Sequence, residues 1–169
     1  TEDELPGIDE AEVDMATLEQ LKANFTLSEW ARRTPRYVEH PFELALGESV
    51  IRGRIDAVFE DANGWTVVDW KTGQRPGKAE MQSAKLQLAV YKEAWKRIAD
   101  DGRKVDAVFF YVRTGQNVAP ENLPSGDELR TLLHASASGS SIEAGQSNLS
   151  LGKRHATAAG KNRDERRTR

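Results

Sequence analysis

With 169 residues, 38% of them hydrophobic and 30% charged, the chain reads as one soluble, globular domain with enough apolar material for a real core. The absence of cysteine excludes disulfides, thiolate zinc sites and cysteine-held iron–sulfur clusters. No apolar run reaches the roughly 18 residues of a membrane span and no signal peptide is visible, so no membrane partner is expected and the cytoplasm is the expected location. The net charge of −3 is unevenly spread: residues 1–29 carry −8, residues 30–137 carry +1 and residues 138–169 carry +4. A near-neutral middle between an acidic front and a basic end permits nucleic-acid binding without arguing for it.

The acidic opening, without an initiator methionine, suggests a piece of a larger chain. Met15, Leu18, Leu21, Ala23 and Phe25 fit a short helix, and Ser28 is the expected N-cap of a second one through Trp30 and Ala31, stopped before Pro35. Three extended segments follow. Phe42, Leu44 and Leu46 alternate with Glu43 and Ala45 up to a turn at Gly47, and the next strands run from Val50 to Phe59 and from Trp65 to Lys71. Between the last two lies Asp61-Ala62-Asn63-Gly64, whose Asn-Gly is a strong hairpin signal, so the three predict an antiparallel meander. Residues 79–99 predict a long helix with Ala84, Leu88, Tyr91, Trp95 and Ile98 on its buried face. Val105 to Val112 is almost wholly apolar, as a strand covered on both faces would be. Ser125 and Glu128 predict a capping box for a last helix through Leu132 and Leu133. The remainder is poor in large hydrophobes. The expected parts are an acidic leader and short helix over 1–24, a mixed α/β core over 25–134 and a basic, disordered tail over 135–169.

The chemistry concentrates on two strands. Asp69 and Lys71 are two apart and point the same way; Asp56, with Arg54 and Val58 on its face, can be set beside Asp69 by the hairpin. Aspartate is a poor strand former, and Ile55, Ala57, Val68 and Trp70 flank these two acids, so the pair needs a reason. Mg²⁺ or Mn²⁺ between the carboxylates supplies one, and the lysine can hold a water or neutralise charge on a phosphate. The bland reading, solvent-facing carboxylates and an ordinary strand-end lysine, is stronger for Lys71 alone than for the acids. Gln87 and Tyr91 lie one turn apart on one helix face, with Tyr91 also fit for core packing. Arg54, Arg75, Lys78 and Lys85 are candidate phosphate contacts, each equally readable as solvated surface. Gly73 to Gly77 lacks the length, lysine placement and following helix cap of a phosphate-binding nucleotide loop.

Gly53-Arg54-Ile55-Asp56, then Asp69-Trp70-Lys71-Thr72-Gly73, then Gln87-Leu88-Ala89-Val90-Tyr91 resemble, in order, the GxxD, DxK(T/S)G and QxxxY motifs of the RecB-like nuclease domain of the PD-(D/E)xK superfamily. The resemblance is strongest over about 38–112 and looks most like the domain at the C-terminus of actinobacterial UvrD/Rep-type helicase–nucleases of the AdnA/AdnB type. It implies a restriction-endonuclease-like core: a mixed central sheet with an antiparallel three-strand meander, flanked by helices. It also implies Asp56, Asp69 and the backbone carbonyl of Trp70 as metal ligands, with Asp56, Asp69, Lys71, Gln87 and Tyr91 as the catalytic set. Glu43 stands where relatives often place an acid and is a further candidate ligand, weighed equally against an outward strand residue; His40 is a weaker one. The histidine that such domains carry on an upstream helix is missing before Asp56, and is expected ahead of Thr1 in a parent chain.

The resemblance thus implies a metal-dependent deoxyribonuclease domain acting on DNA, on single-stranded ends delivered by the parent's ATP-driven helicase motor, with a partner helicase–nuclease subunit, in double-strand-break repair and end resection. The alternatives are a nuclease-like module that binds DNA without cutting it, and a superfamily nuclease not attached to a helicase.

Overall fold

The computed structural model describes residues 15–139 and 150–153. Helix α1 spans Met15–Leu27 and a single 3₁₀ turn Trp30–Arg32. Strands β1 (Tyr37–Leu46), β2 (Ser49–Asp61) and β3 (Gly64–Lys71) follow. Then come α2 (Lys78–Ala99), β4 (Lys104–Tyr111), β5 (Gln116–Val118), α3 (Gly126–Gly139) and β6 (Ser150–Lys153). The sheet order is β1-β2-β3-β4-β5, antiparallel throughout except for the parallel β3–β4 seam, which α2 bridges. The α/β class, the three-strand meander and the mixed sheet flanked by helices are as the sequence predicts, and they match a restriction-endonuclease-like core.

Two apolar layers sandwich the sheet. On one face α2 packs Leu88, Tyr91, Ala94 and Trp95 against Phe42, Leu44, Val67, Val105 and Phe109. On the other, Leu21 and Trp30 cover Ala57, Phe59, Val68, Val108 and Phe110. β4, with alternate residues in both layers, is the doubly covered strand its composition predicts. The α2 stripe is shifted from expectation at one end: Ile98 is exposed, and Ala94, Trp95 and Ala99 make the contact with the core there.

Several local expectations differ. Ser28 does not cap a helix; its hydroxyl donates to the Phe25 carbonyl, and Glu29 precedes the 3₁₀ turn. Ser125 enters α3 through its carbonyl, which accepts the Leu129 N–H. β1 begins at Tyr37, earlier than the Phe42 alternation indicates, because the regular pleat breaks inside it. Tyr37 and Phe42 both belong to the layer under α2, as do Ile55 and Val58 on β2, three residues apart, so both strands switch faces near Glu39 and Asp56. Glu39 marks the break with a left-handed φ of 47°. Ser150–Lys153, inside the stretch read as tail, pairs antiparallel with Ser49–Arg52 as β6. Since β1 holds the other edge of β2, β6 and β3 share one edge, β3 over Ala57–Asp61 and β6 over Ser49–Arg52.

At the β2–β3 turn, Asp61 Oδ1 accepts the N–H groups of Asn63 and Gly64, as the Asn-Gly signal predicts. Gly64 is required there: a Cβ would sit 2.1 Å from the Lys104 carbonyl oxygen, and its φ of 153° favours glycine.

Candidate active site

The hairpin register carries Ala57 opposite Val68, and one step further it brings Asp56 to Asp69. Asp56 Oδ2 accepts the backbone N–H of Trp70 at 2.9 Å, at the point where β3 begins to leave β2. Asp69 is the one charged residue in the buried set, only 3% exposed. Lys71 Nζ lies 3.0 Å from Asp69 Oδ2 and 5.7 Å from the centre of the Phe109 ring. That contact is an ion pair without hydrogen-bond alignment, for Asp69 Oδ2 is buried with no hydrogen-bond partner. Asp56, Asp69 and Lys71 therefore form one cluster, as the strand spacing predicts.

Electrostatics follow from this packing. Burial, then the neighbouring Asp69 charge, pushes the Asp56 carboxyl up to about 7. Burial also raises Asp69, against the pull of Lys71. Near neutral pH the two acids are close enough to hold a proton between them. A buried Asp69 oxygen ion-paired with Lys71, in a pair of acids that resist ionising together, is a donor set suited to a hard divalent cation. Among the described residues no set of three histidine, cysteine, aspartate or glutamate side chains gathers for a metal.

α2 brings the helix pair to the same place. Gln87 Nε2 donates to Tyr91 Oη at 2.9 Å. Tyr91 is buried, and its phenol is raised first by burial and then by the charges of Asp69 and Asp56, so it faces the carboxylates. The other candidates are dispersed. Glu43 pairs across the strands with Arg52, whose Nε donates to Glu43 Oε2 at 2.8 Å, on an exposed surface. It stands four β2 positions from Asp56, roughly 13 Å along the strand. His40 packs edge-on to Tyr37 and Trp95. Arg54 does not share the face of Asp56, as simple alternation would have it: Ile51 and Ile55 on either side of it turn toward α2, and Arg54 is exposed before the break in the pleat. Arg75 and Lys78 are exposed beside the loop that leaves Lys71, while Lys85 lines a groove with Glu121 and Glu128.

Two residues matter that sequence reasoning did not single out as side chains. Trp70, between the acid and the lysine, turns to the opposite face and makes edge contacts with Phe25, Trp30, Phe59 and Phe110, with ring centres 5.6–6.4 Å apart. This anchors β3 so that Asp69 and Lys71 must face α2. Tyr111 ends β4 beside Lys71 in the parallel register. The only signal for it in the sequence is a hydroxyl-bearing residue closing an apolar strand.

A mixed sheet with an Asp/Asp/Lys cluster where a hairpin opens is the arrangement of a nuclease core, and residues 3–163 match the PD-(D/E)XK nuclease superfamily, to which the chain belongs. The chain is also similar to the A-type subunit of the ATP-dependent helicase/nuclease of Anoxybacillus flavithermus (strain DSM 21510 / WK1), 34% identical over 99 residues that cover 53% of this chain and 7% of the relative. The chain therefore spans a small part of that relative's length. No helix among the described residues is long and apolar enough to cross a membrane.

Proposed function

We propose that this chain is the nuclease domain of a helicase–nuclease and hydrolyses DNA phosphodiesters with Mg²⁺ or Mn²⁺. The observation that carries the reading is the buried Asp69 carboxylate set between Asp56 and Lys71, with its Oδ2 held by an ion pair rather than by an aligned hydrogen bond. Asp56 and Asp69 would hold the ion, with the Trp70 carbonyl as a backbone ligand. A bound ion supplies charge neutralisation and a more acidic water. Lys71 holds the attacking water and then faces the charge that grows on the phosphate oxygens. The water oxygen bonds to phosphorus, one phosphorus–ester bond breaks, and the departing oxygen takes up a proton, leaving a phosphomonoester and an alcohol. The Gln87–Tyr91 pair keeps its hydrogen-bonded edge toward the acids and helps to fix them. The similarity to a helicase/nuclease protein supports a helicase motor in the parent; that this motor feeds single-stranded ends in double-strand-break repair is what the RecB-like motifs imply.

A second reading, a module that binds DNA without cutting it, draws on the two-carboxylate count among the described residues. Labelled single-stranded DNA with Mn²⁺ separates the two. The nuclease reading expects cleavage that is lost in Asp69→Asn; binding without any cleavage, in this chain and in a longer parent, would establish the second.

A further inference from the structure

Tyr111 is the last residue of β4 and pairs with Lys71 across the parallel seam, as Phe109 pairs with Asp69. Tyr111 and Phe109 both belong to the core layer under α2, so the phenol stands on the face that carries Asp69 and Lys71. Its main chain is fixed by a turn, the Tyr111 carbonyl accepting the Thr114 and Gly115 N–H groups. Yet the hydroxyl is buried and has no hydrogen-bond partner. Phenylalanine would fill the same place without the desolvation cost of an unsatisfied O–H. A buried donor kept beside a reaction site implies an acceptor that arrives with the substrate.

The surroundings say what kind. Lys71 is the neighbour on β3, and Arg75 sits four residues on, exposed on the Thr72–Gly77 loop. At Gly73 and Gly77 of this loop an added Cβ would meet nothing within 4 Å. The phenol stands beside the Lys71 ammonium, which is ion-paired with Asp69, and the Arg75 guanidinium follows on the loop; donors and positive charge of this kind suit an oxyanion. We propose that Tyr111 and Arg75 form a phosphate-binding pair for the substrate strand, the Tyr111 hydroxyl donating to a non-bridging phosphate oxygen as the Thr72–Gly77 loop gives way to it. The inference rests on the nuclease reading for the identity of that strand. Burial raises the phenol, against the Arg75 charge and with a further push from Asp69, so it keeps its proton at neutral pH.

The test uses the full chain with Tyr111→Phe, Arg75→Gln and the double variant. Affinity for a single-stranded oligonucleotide is measured in Ca²⁺, single-turnover cleavage in Mn²⁺, and melting in EDTA. Tyr111→Phe should melt at the same or a higher temperature, bind Mn²⁺ unchanged, and bind the oligonucleotide about tenfold more weakly. The double variant should lose less than the product of the single losses, because both groups hold one phosphate. Unchanged oligonucleotide affinity in Tyr111→Phe overturns the proposal, as does a lowered melting temperature with affinity intact. A chain that binds DNA, shows the Tyr111 effect and cleaves nothing sinks the nuclease reading and leaves the phosphate pair standing. A chain that binds no DNA overturns the pair.

Discussion

Asp56 accepts the backbone N–H of Trp70, the residue whose peptide links Asp69 to Lys71, at 2.9 Å. The first acid is thereby tied to the segment that carries the other two functional groups. Because the same residue buries its indole among Phe25, Trp30, Phe59 and Phe110 on the far face, position 70 holds the site from both sides. Trp70→Ala should cost about 3–5 kcal/mol of stability, the usual loss for a large aromatic, with metal affinity falling as well. Trp70→Phe should recover most of both. Denaturant melts and Mn²⁺ calorimetry on the two variants check this; a Trp70→Ala protein with native metal affinity would show that β3 needs no such anchor.

Without metal, the carboxylate pair should make the protein less stable as pH rises. The Asp56 carboxyl ionises near 7 in the folded chain, against an ordinary 3.8. Below about pH 4 folded and unfolded chains both hold the proton, and its favourable contribution is complete. Between 4 and 7 the unfolded chain gives it up and the folded chain does not, so stability declines by a few kcal/mol and then levels off. Asp56→Asn keeps an acceptor for the Trp70 N–H and removes the ionisation. Its melting temperature in EDTA should exceed that of the natural chain at pH 8 by about 5 °C or more, with a flatter pH profile. A natural chain in EDTA whose stability does not fall over this range would contradict the burial argument.

Metal binding should show the complementary dependence. A cation that takes up both carboxylates must displace the proton they hold, so Mn²⁺ affinity should climb with pH up to about 7 and then flatten. Asp56→Asn and Asp69→Asn should each abolish measurable binding. Calorimetry in two buffers of different ionisation heat would count the released proton; no proton release at pH 6 would mean that the ion sits elsewhere.

Lys71→Ala should leave a different trace. The ammonium pulls the Asp69 carboxyl down, so its loss raises that group further and moves the pH profile of cleavage upward. Mn²⁺ should still bind at pH 8, while the single-turnover rate falls by roughly a hundredfold or more, because the lysine acts on charge that develops during the reaction. A rate within a few-fold of the natural chain would return Lys71 to the surface.

The parts of this molecule that were plain in the sequence are those written in short range. Asp69 and Lys71 differ by one strand period, Gln87 and Tyr91 by one helical turn, and Asn63-Gly64 announces the hairpin that brings Asp56 to Asp69. The parts that were hidden depend on pairing over long separations or on irregular backbone. Lys71 meets Tyr111 through a parallel register across a long stretch of chain, for which no local pattern exists. Strict alternation put Arg54 beside Asp56, and the left-handed Glu39 in the opposing strand marks where alternation stops. Glu43 looked eligible as a ligand from its place in the strand; only the cross-strand Arg52 shows where its charge is spent. β5 has three residues, two of them polar, and β6 lies in a segment poor in large hydrophobes, so neither leaves a strand-like imprint.

Gly64 marks the origin from which the parallel seam is counted. With the Lys104 carbonyl where a methyl group would stand, β3 and β4 start in contact, and each later pair keeps step until Asp69 meets Phe109 and Lys71 meets Tyr111. A bulkier residue at that far turn would lift one strand from the other, and a stiff ladder would carry the offset along its length rather than absorb it. The register of Asp69 and Lys71 against β4 is thus counted from the end of the sheet remote from them, where the absence of a side chain lets the two strands meet.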